Sequence, residues 1–124
     1  MSDPSDIYSD LPQCLIDEQW HDDTVLLDCS GVIDMLTAPE VQRRIDTALT
    51  KQPAAMILDL TRVEFLTSHG MSVLVTTSDQ CAGKTAFTVV ADGPATSRPM
   101  QIVGLDQIIT LVPTLDDARR TAGV

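Results

Sequence analysis

The chain is 124 residues long, 44% hydrophobic but only 3% aromatic, which suits one compact domain with a core of its own and leaves little room for a second. Eighteen Asp and Glu against eight Lys and Arg give a formal net charge of -10, and no Lys or Arg precedes Arg43. Such a field repels polyanions, so DNA, RNA or an anionic membrane surface is disfavoured, and another protein is the expected partner.

Residues 1–12 are polar and acidic and hold two prolines, which predicts a flexible leader ahead of a domain over 13–124. This leader has neither the basic nor the apolar region of a secretory signal, so a cytoplasmic location is expected. No apolar run approaches the ~20 residues of a membrane-spanning helix. From Cys14 to Trp20 apolar and polar residues alternate, and the turn signal His21-Asp22-Asp23 leads into Val25 to Cys29, together predicting a β-hairpin. Thr37-Ala38-Pro39-Glu40 has the form of a capping box, and Val41, Ile45, Ala48 and Leu49 recur at helical spacing behind it. The short apolar run Ala54 to Leu60 reads as a buried strand.

Ser68 and Gly70 then open a segment whose Val73-Leu74-Val75 run favours a strand but whose length, up to Ala82-Gly83, favours a helix. Ala86 to Ala91 predicts a strand, Pro94 to Val103 a helix closed by Gly104, and Ile108 to Val112 a last strand. Thr114-Leu115-Asp116-Asp117 caps a final helix through Ala118 and Arg119. The alternation of strands and helices from Thr37 onward implies an α/β sandwich with a mixed sheet.

Motifs for catalysis are missing from this sequence. There is no GxxxxGK[ST], GxGxxG or HExxH, and the two histidines stand apart, His21 in an acidic turn and His69 beside Ser68. Adjacent residues at a helix start seldom face one another, so Ser68 and His69 do not read as a nucleophile and its base, and no enzyme is expected. Cys14, Cys29 and Cys81 are odd in number and widely spaced, without CxxC, so ordinary thiols are expected rather than a disulfide framework or a zinc site. A redox sensor is disfavoured because no cysteine is flanked by Lys or Arg and Asp28 stands beside Cys29. Ser68 itself allows two readings: a helix cap, or an exposed hydroxyl whose phosphorylation would add about two negative charges beside free backbone N–H groups.

The segment Phe65-Leu66-Thr67-Ser68-His69-Gly70-Met71-Ser72 resembles the Asp-Ser-Ser/Thr-Gly-Leu-Gly signature of the STAS domain in its bacterial anti-sigma factor antagonist form. Gly31-Val32-Ile33-Asp34 resembles the family's Gly-Glu-Leu-Asp motif, Pro94 through Asp106 its third helix, and Thr114 to Ala118 its closing helix. Two positions depart: Thr67 stands where the family has Asp, and His69 where it has Ser or Thr.

The resemblance implies a single STAS domain, a mixed sheet of about five strands packed with about four helices, and no catalytic centre, cofactor or metal. It implies a regulator that, when dephosphorylated, binds an anti-sigma factor, usually itself a serine kinase, and so releases a sigma factor. Phosphorylation at the motif serine, here Ser68, would end that binding until a phosphatase restores it. Asp34, Thr67, Ser68, His69, Gly70, Met71 and Ser72 are the implied partner-binding residues. Asp34 is expected to accept hydrogen bonds from the partner and to be dispensable for folding, and bulk at Gly70 is expected to harm binding more than folding. The departures at Thr67 and His69 keep a second reading open, a constitutive STAS scaffold or adaptor without a phosphoswitch.

Overall fold

A computed structural model describes residues 13–122; the expected leader lies outside the described residues. Strands β1 (Cys14–His21) and β2 (Thr24–Ile33) form the predicted hairpin, turning at Asp22. Helix α1 (Ala38–Leu49), strand β3 (Ala55–Leu66), helix α2 (Ser68–Cys81), strand β4 (Ala86–Val90) and helix α3 (Ser97–Ile102) follow. A 3-10 turn (Leu105–Gln107), strand β5 (Thr110–Val112) and helix α4 (Leu115–Ala122) complete the described chain. The five strands lie in the order β1-β2-β3-β4-β5, with β1 antiparallel to β2 and all other neighbours parallel.

Side-chain alternation divides the domain into layers. Val25, Leu27 and Cys29 of β2 and Met56, Leu58 and Leu60 of β3 face one side, where Val41 and Ile45 of α1, Val73 and Leu74 of α2 and Met100 of α3 cover them. Residues of the opposite parity, among them Leu26, Ile57 and Val90, pack instead against Leu115 and Ala118 of α4. Each fully buried Leu, Ile or Val contributes about 1.5–3 kcal/mol, so the larger cluster carries most of the stability. The even face of β1 is fastened to α1 by charge: Glu18 lies 3.7 Å from Arg44 and 4.0 Å from Lys51, whose ammonium sits over the Trp20 ring.

Several boundaries differ from the sequence-based expectation. The ambiguous segment after Thr67 is a helix throughout, because Gly70, Val73, Leu74 and Thr77 bury one stripe. Strand β3 continues to Leu66, well past Leu60, and crosses two register shifts against β2. These irregularities bury Leu60, Val63 and Leu66 at every third position, a spacing that hides the strand from a period-two reading. Helix α3 starts at Ser97 rather than Pro94, since the Ser97 hydroxyl donates to the Gly93 carbonyl and accepts from its N–H, folding 93–97 into a turn. It does end as expected at Gly104, which adopts the left-handed conformation (φ 82°). The last strand is shorter than expected, beginning at Thr110.

The capping box at Thr37 is not formed. The Thr37 hydroxyl donates to the Val32 carbonyl (2.7 Å) and accepts from the Asp34 N–H (2.9 Å), so it braces the β2–α1 turn and leaves the helix without a side-chain cap. At the last helix the expected cap is present, with the Asp117 N–H donating to the Thr114 hydroxyl.

Candidate functional site

The site is built where two strands deliver their ends to two helices. Strand β3 ends at buried Leu66, and Thr67 follows in extended conformation (φ -91°, ψ 177°) as the N-cap of α2. Thr67 donates twice to the Ile33 carbonyl at the end of β2, from its N–H at 3.0 Å and from its hydroxyl at 3.1 Å. With that hydroxyl engaged, no side chain caps α2, and the N–H groups of its first turn point outward unpaired within the helix. Ser68 is therefore the first residue inside the helix rather than its cap, and it is exposed.

The helix period sorts the other motif residues. His69 and Ser72 are exposed beside Ser68, and the Ser72 hydroxyl donates back to the Ser68 carbonyl at 3.0 Å. Met71 is half-buried and packs on the core. Gly70 points inward: a Cβ there would lie 2.5 Å from Leu66 Cδ1 and 2.8 Å from Ile33 Cγ2. Its missing side chain serves close packing of α2 on the ends of β2 and β3.

Asp34 is also more occupied than expected. Its Oδ1 accepts the N–H groups of Leu36 (2.9 Å) and Thr37 (3.1 Å), an Asx-type turn that joins β2 to α1. A carboxylate so engaged helps to hold the turn.

Two residues that the sequence reading passed over complete the surface. Shallow grooves run along both flanks of α2, one bordered by Met35, Pro39 and Gln42, the other by Val103 and Leu105. Met35 is 63% exposed and Val103 59%, so apolar side chains stand on either side of the Ser68, His69 and Ser72 stripe. Apolar side chains exposed together on one face mark a protein-binding surface. The signal for Met35 was present in the sequence: the apolar pair Met35-Leu36 lies between a turn carboxylate and a helix start, where no core position is required. For Val103 there was no such signal.

Among the described residues, no group of three or more His, Cys, Asp or Glu is arranged to hold a metal ion, and no helix is long and apolar enough to cross a membrane.

This layout, a mixed sheet with a serine at the start of the helix after its central strand, belongs to a recognised class. The STAS domain family model matches residues 16–118, and the chain belongs to that family. Over 98 residues, 79% of this chain and 80% of the relative, it is 38% identical to the anti-sigma-F factor antagonist RsfB of Mycobacterium tuberculosis. The crystal structure of an anti-sigma factor antagonist from Mycobacterium paratuberculosis superimposes with a TM-score of 0.86 at 37% identity, covering 100% of both chains. The anti-sigma factor antagonist SpoIIAA in its unphosphorylated form shares the fold, with a TM-score of 0.71 at 16% identity over 89% of this chain and 98% of that one.

Proposed function

We propose that this protein is an anti-sigma factor antagonist acting in the cytoplasm, which binds an anti-sigma factor through the start of α2 and so releases a sigma factor. The partner is a serine kinase that phosphorylates Ser68, phosphorylation ends the binding, and a phosphatase reverses it. The observation that carries the reading is the exposed Ser68 at the uncapped start of a 14-residue helix, between the apolar flanks Met35 and Val103. Likeness to RsfB over most of the chain supports the partner class. A role in binding fits the Ser68 hydroxyl, which is a weak nucleophile unaided.

Binding of the anti-sigma factor that copurifies from the native cytoplasm tests this, measured for Ser68→Ala and Ser68→Asp. Ser68→Ala should bind as the parent does, whereas Ser68→Asp should bind at least tenfold more weakly, a loss of about 1.4 kcal/mol. Equal affinities would overturn the switch and leave the constitutive scaffold, which the departure at Thr67 favours because the negative charge usual beside the acceptor is missing. If no anti-sigma factor copurifies or binds, the antagonist reading falls.

A further inference from the structure

Helix α4 lies mainly over β3, β4 and β5, and a cleft of about 420 Å³ opens between it and the β1–β2 hairpin. That volume falls within the roughly 300–1,000 Å³ of small-molecule sites. The floor is apolar: Leu26 and Ile57 are neighbours in the β2–β3 register and belong to the cluster around Ala118 of α4. On the hairpin side the cleft is lined by Gln19, which pairs with Leu26 in the register, and by His21 and Thr24, which pair with each other. On the helix side it is lined by Arg119.

Charge sets this cleft apart from the rest of the molecule. No Asp or Glu lines it, in a chain that carries eighteen. Arg43, Arg44, Arg62 and Arg120 each pair with a carboxylate, whereas Arg119 is exposed and forms no ion pair among the described residues. At the rim His21 lies 3.8 Å from Asp22, whose side chain is 92% exposed, so solvent and salt screen that charge. The cleft thus joins an apolar floor to one unpaired guanidinium. We propose that it binds a small aromatic carboxylate, with the carboxylate on Arg119 and the ring over Leu26 and Ile57.

Each part of the ligand answers a feature of the cleft. The planar guanidinium fork matches a carboxylate with two parallel hydrogen bonds, a geometry that a neutral ligand cannot use. Neighbouring strands lie about 4.8 Å apart, so Leu26 and Ile57 side by side offer a floor about one ring wide. A bare inorganic anion would leave that floor in water, and a polyanion would meet the net charge of -10 with a single cation in reach. The site is also separate from the Ser68 surface. Thr24 and Ile33 are the two ends of the ten-residue strand β2, about 30 Å apart at 3.3 Å per residue, and the cleft lies at the Thr24 end.

The test titrates the full-length chain with benzoate and follows backbone amide shifts by NMR. Saturable shifts at Gln19, Thr24, Leu26, Ile57 and the α4 amides are expected, with a dissociation constant at or below about 1 mM. Arg119→Gln should weaken binding at least tenfold while melting as the parent does, because Arg119 is exposed. Benzyl alcohol, which keeps the ring without the charge, and acetate, which keeps the charge without the ring, should each bind at least tenfold more weakly than benzoate. No saturation by about 10 mM benzoate, saturable shifts confined to other surfaces, or unchanged affinity in Arg119→Gln would each overturn the proposal. Equal binding of either analogue would overturn it too, and these comparisons need no variant.

Discussion

Adding a side chain at Gly70 tests the packing of α2 most directly. The new Cβ would meet Leu66 Cδ1 at 2.5 Å, Ile33 Cγ2 at 2.8 Å and the Ile33 carbonyl oxygen at 3.1 Å. Ile33 and Leu66 are themselves 1% and 6% exposed, so neither can swing into solvent. Overpacking of this kind costs about 1–3 kcal/mol, from which Gly70→Ala recovers about 1 kcal/mol of helix propensity, leaving a net loss of about 1 kcal/mol. Gly70→Val carries two further methyl groups into the same gap and should lose about 3 kcal/mol, or about 10 °C in melting temperature for a domain of this size. Urea and thermal unfolding followed by circular dichroism measure both. A double-mutant cycle isolates the clash: Leu66→Val removes the offending Cδ1, costs about 1 kcal/mol alone, and should make Gly70→Ala about 1 kcal/mol less harmful. Additivity within about 0.3 kcal/mol, or a Gly70→Val protein that melts like the parent, would refute the packing argument.

The α4 side of the sheet and the β2–α1 turn give two more tests. Asp28 faces Asp17 and Asp59 across the register, its Oδ1 is buried without a hydrogen bond, and its Oδ2 pairs with Arg62 at 2.8 Å. Burial raises its pKa, opposed by Arg62 and reinforced by Asp59 and Asp17. A raised carboxylate pKa means that the folded state binds the proton more tightly, so this group's contribution to stability falls as pH rises from the ordinary Asp value through the raised one. Asp28→Asn should therefore be at least as stable as the parent at pH 7, with the difference narrowing on acidification through that window; a loss above about 1 kcal/mol at pH 7 would mean that the exposed Arg62 pair outweighs the burial cost. In the turn, Thr37→Val strips the Val32 carbonyl and the Asp34 N–H of their shared hydroxyl and should cost about 1–3 kcal/mol in urea unfolding, whereas unchanged stability would show that water replaces it.

How far the sequence disclosed the fold depends on the reach of the signal. Helix α1 was legible because Val41, Ile45 and Ala48 repeat at helical spacing, and the hairpin because a charged turn separates two alternating runs. The second half of β3 was not, because its two register shifts replace alternation with burial of every third residue. At the site, the exposure of Ser68, His69 and Ser72 follows from helix geometry, but the inward turn of Gly70 depends on Ile33 and Leu66 converging from two strands. The role of Thr37 was hidden for a related reason: a Thr followed by Glu three positions on looks like a capping box, yet the hydroxyl bonds backward to Val32, which only the path of β2 decides.

Thr67 shows how a departure from the family pattern fits this chain. An ionised Asp has no proton to donate, so at this position it could not make the hydroxyl's bond to the Ile33 carbonyl and would turn to the helix N–H groups as a cap. Thr67 instead ties α2 to β2 and leaves the donors of the first turn unoccupied beside Ser68. Under the proposed function, a phosphate on Ser68 would find those donors and the positive end of the helix dipole, and would be held without melting α2. The switch would then act through the surface and not through the fold. A partner covering Met35 and Val103 must exclude water around the phosphate, and burying a dianion without a matching cation costs several kcal/mol, enough to separate bound from free states.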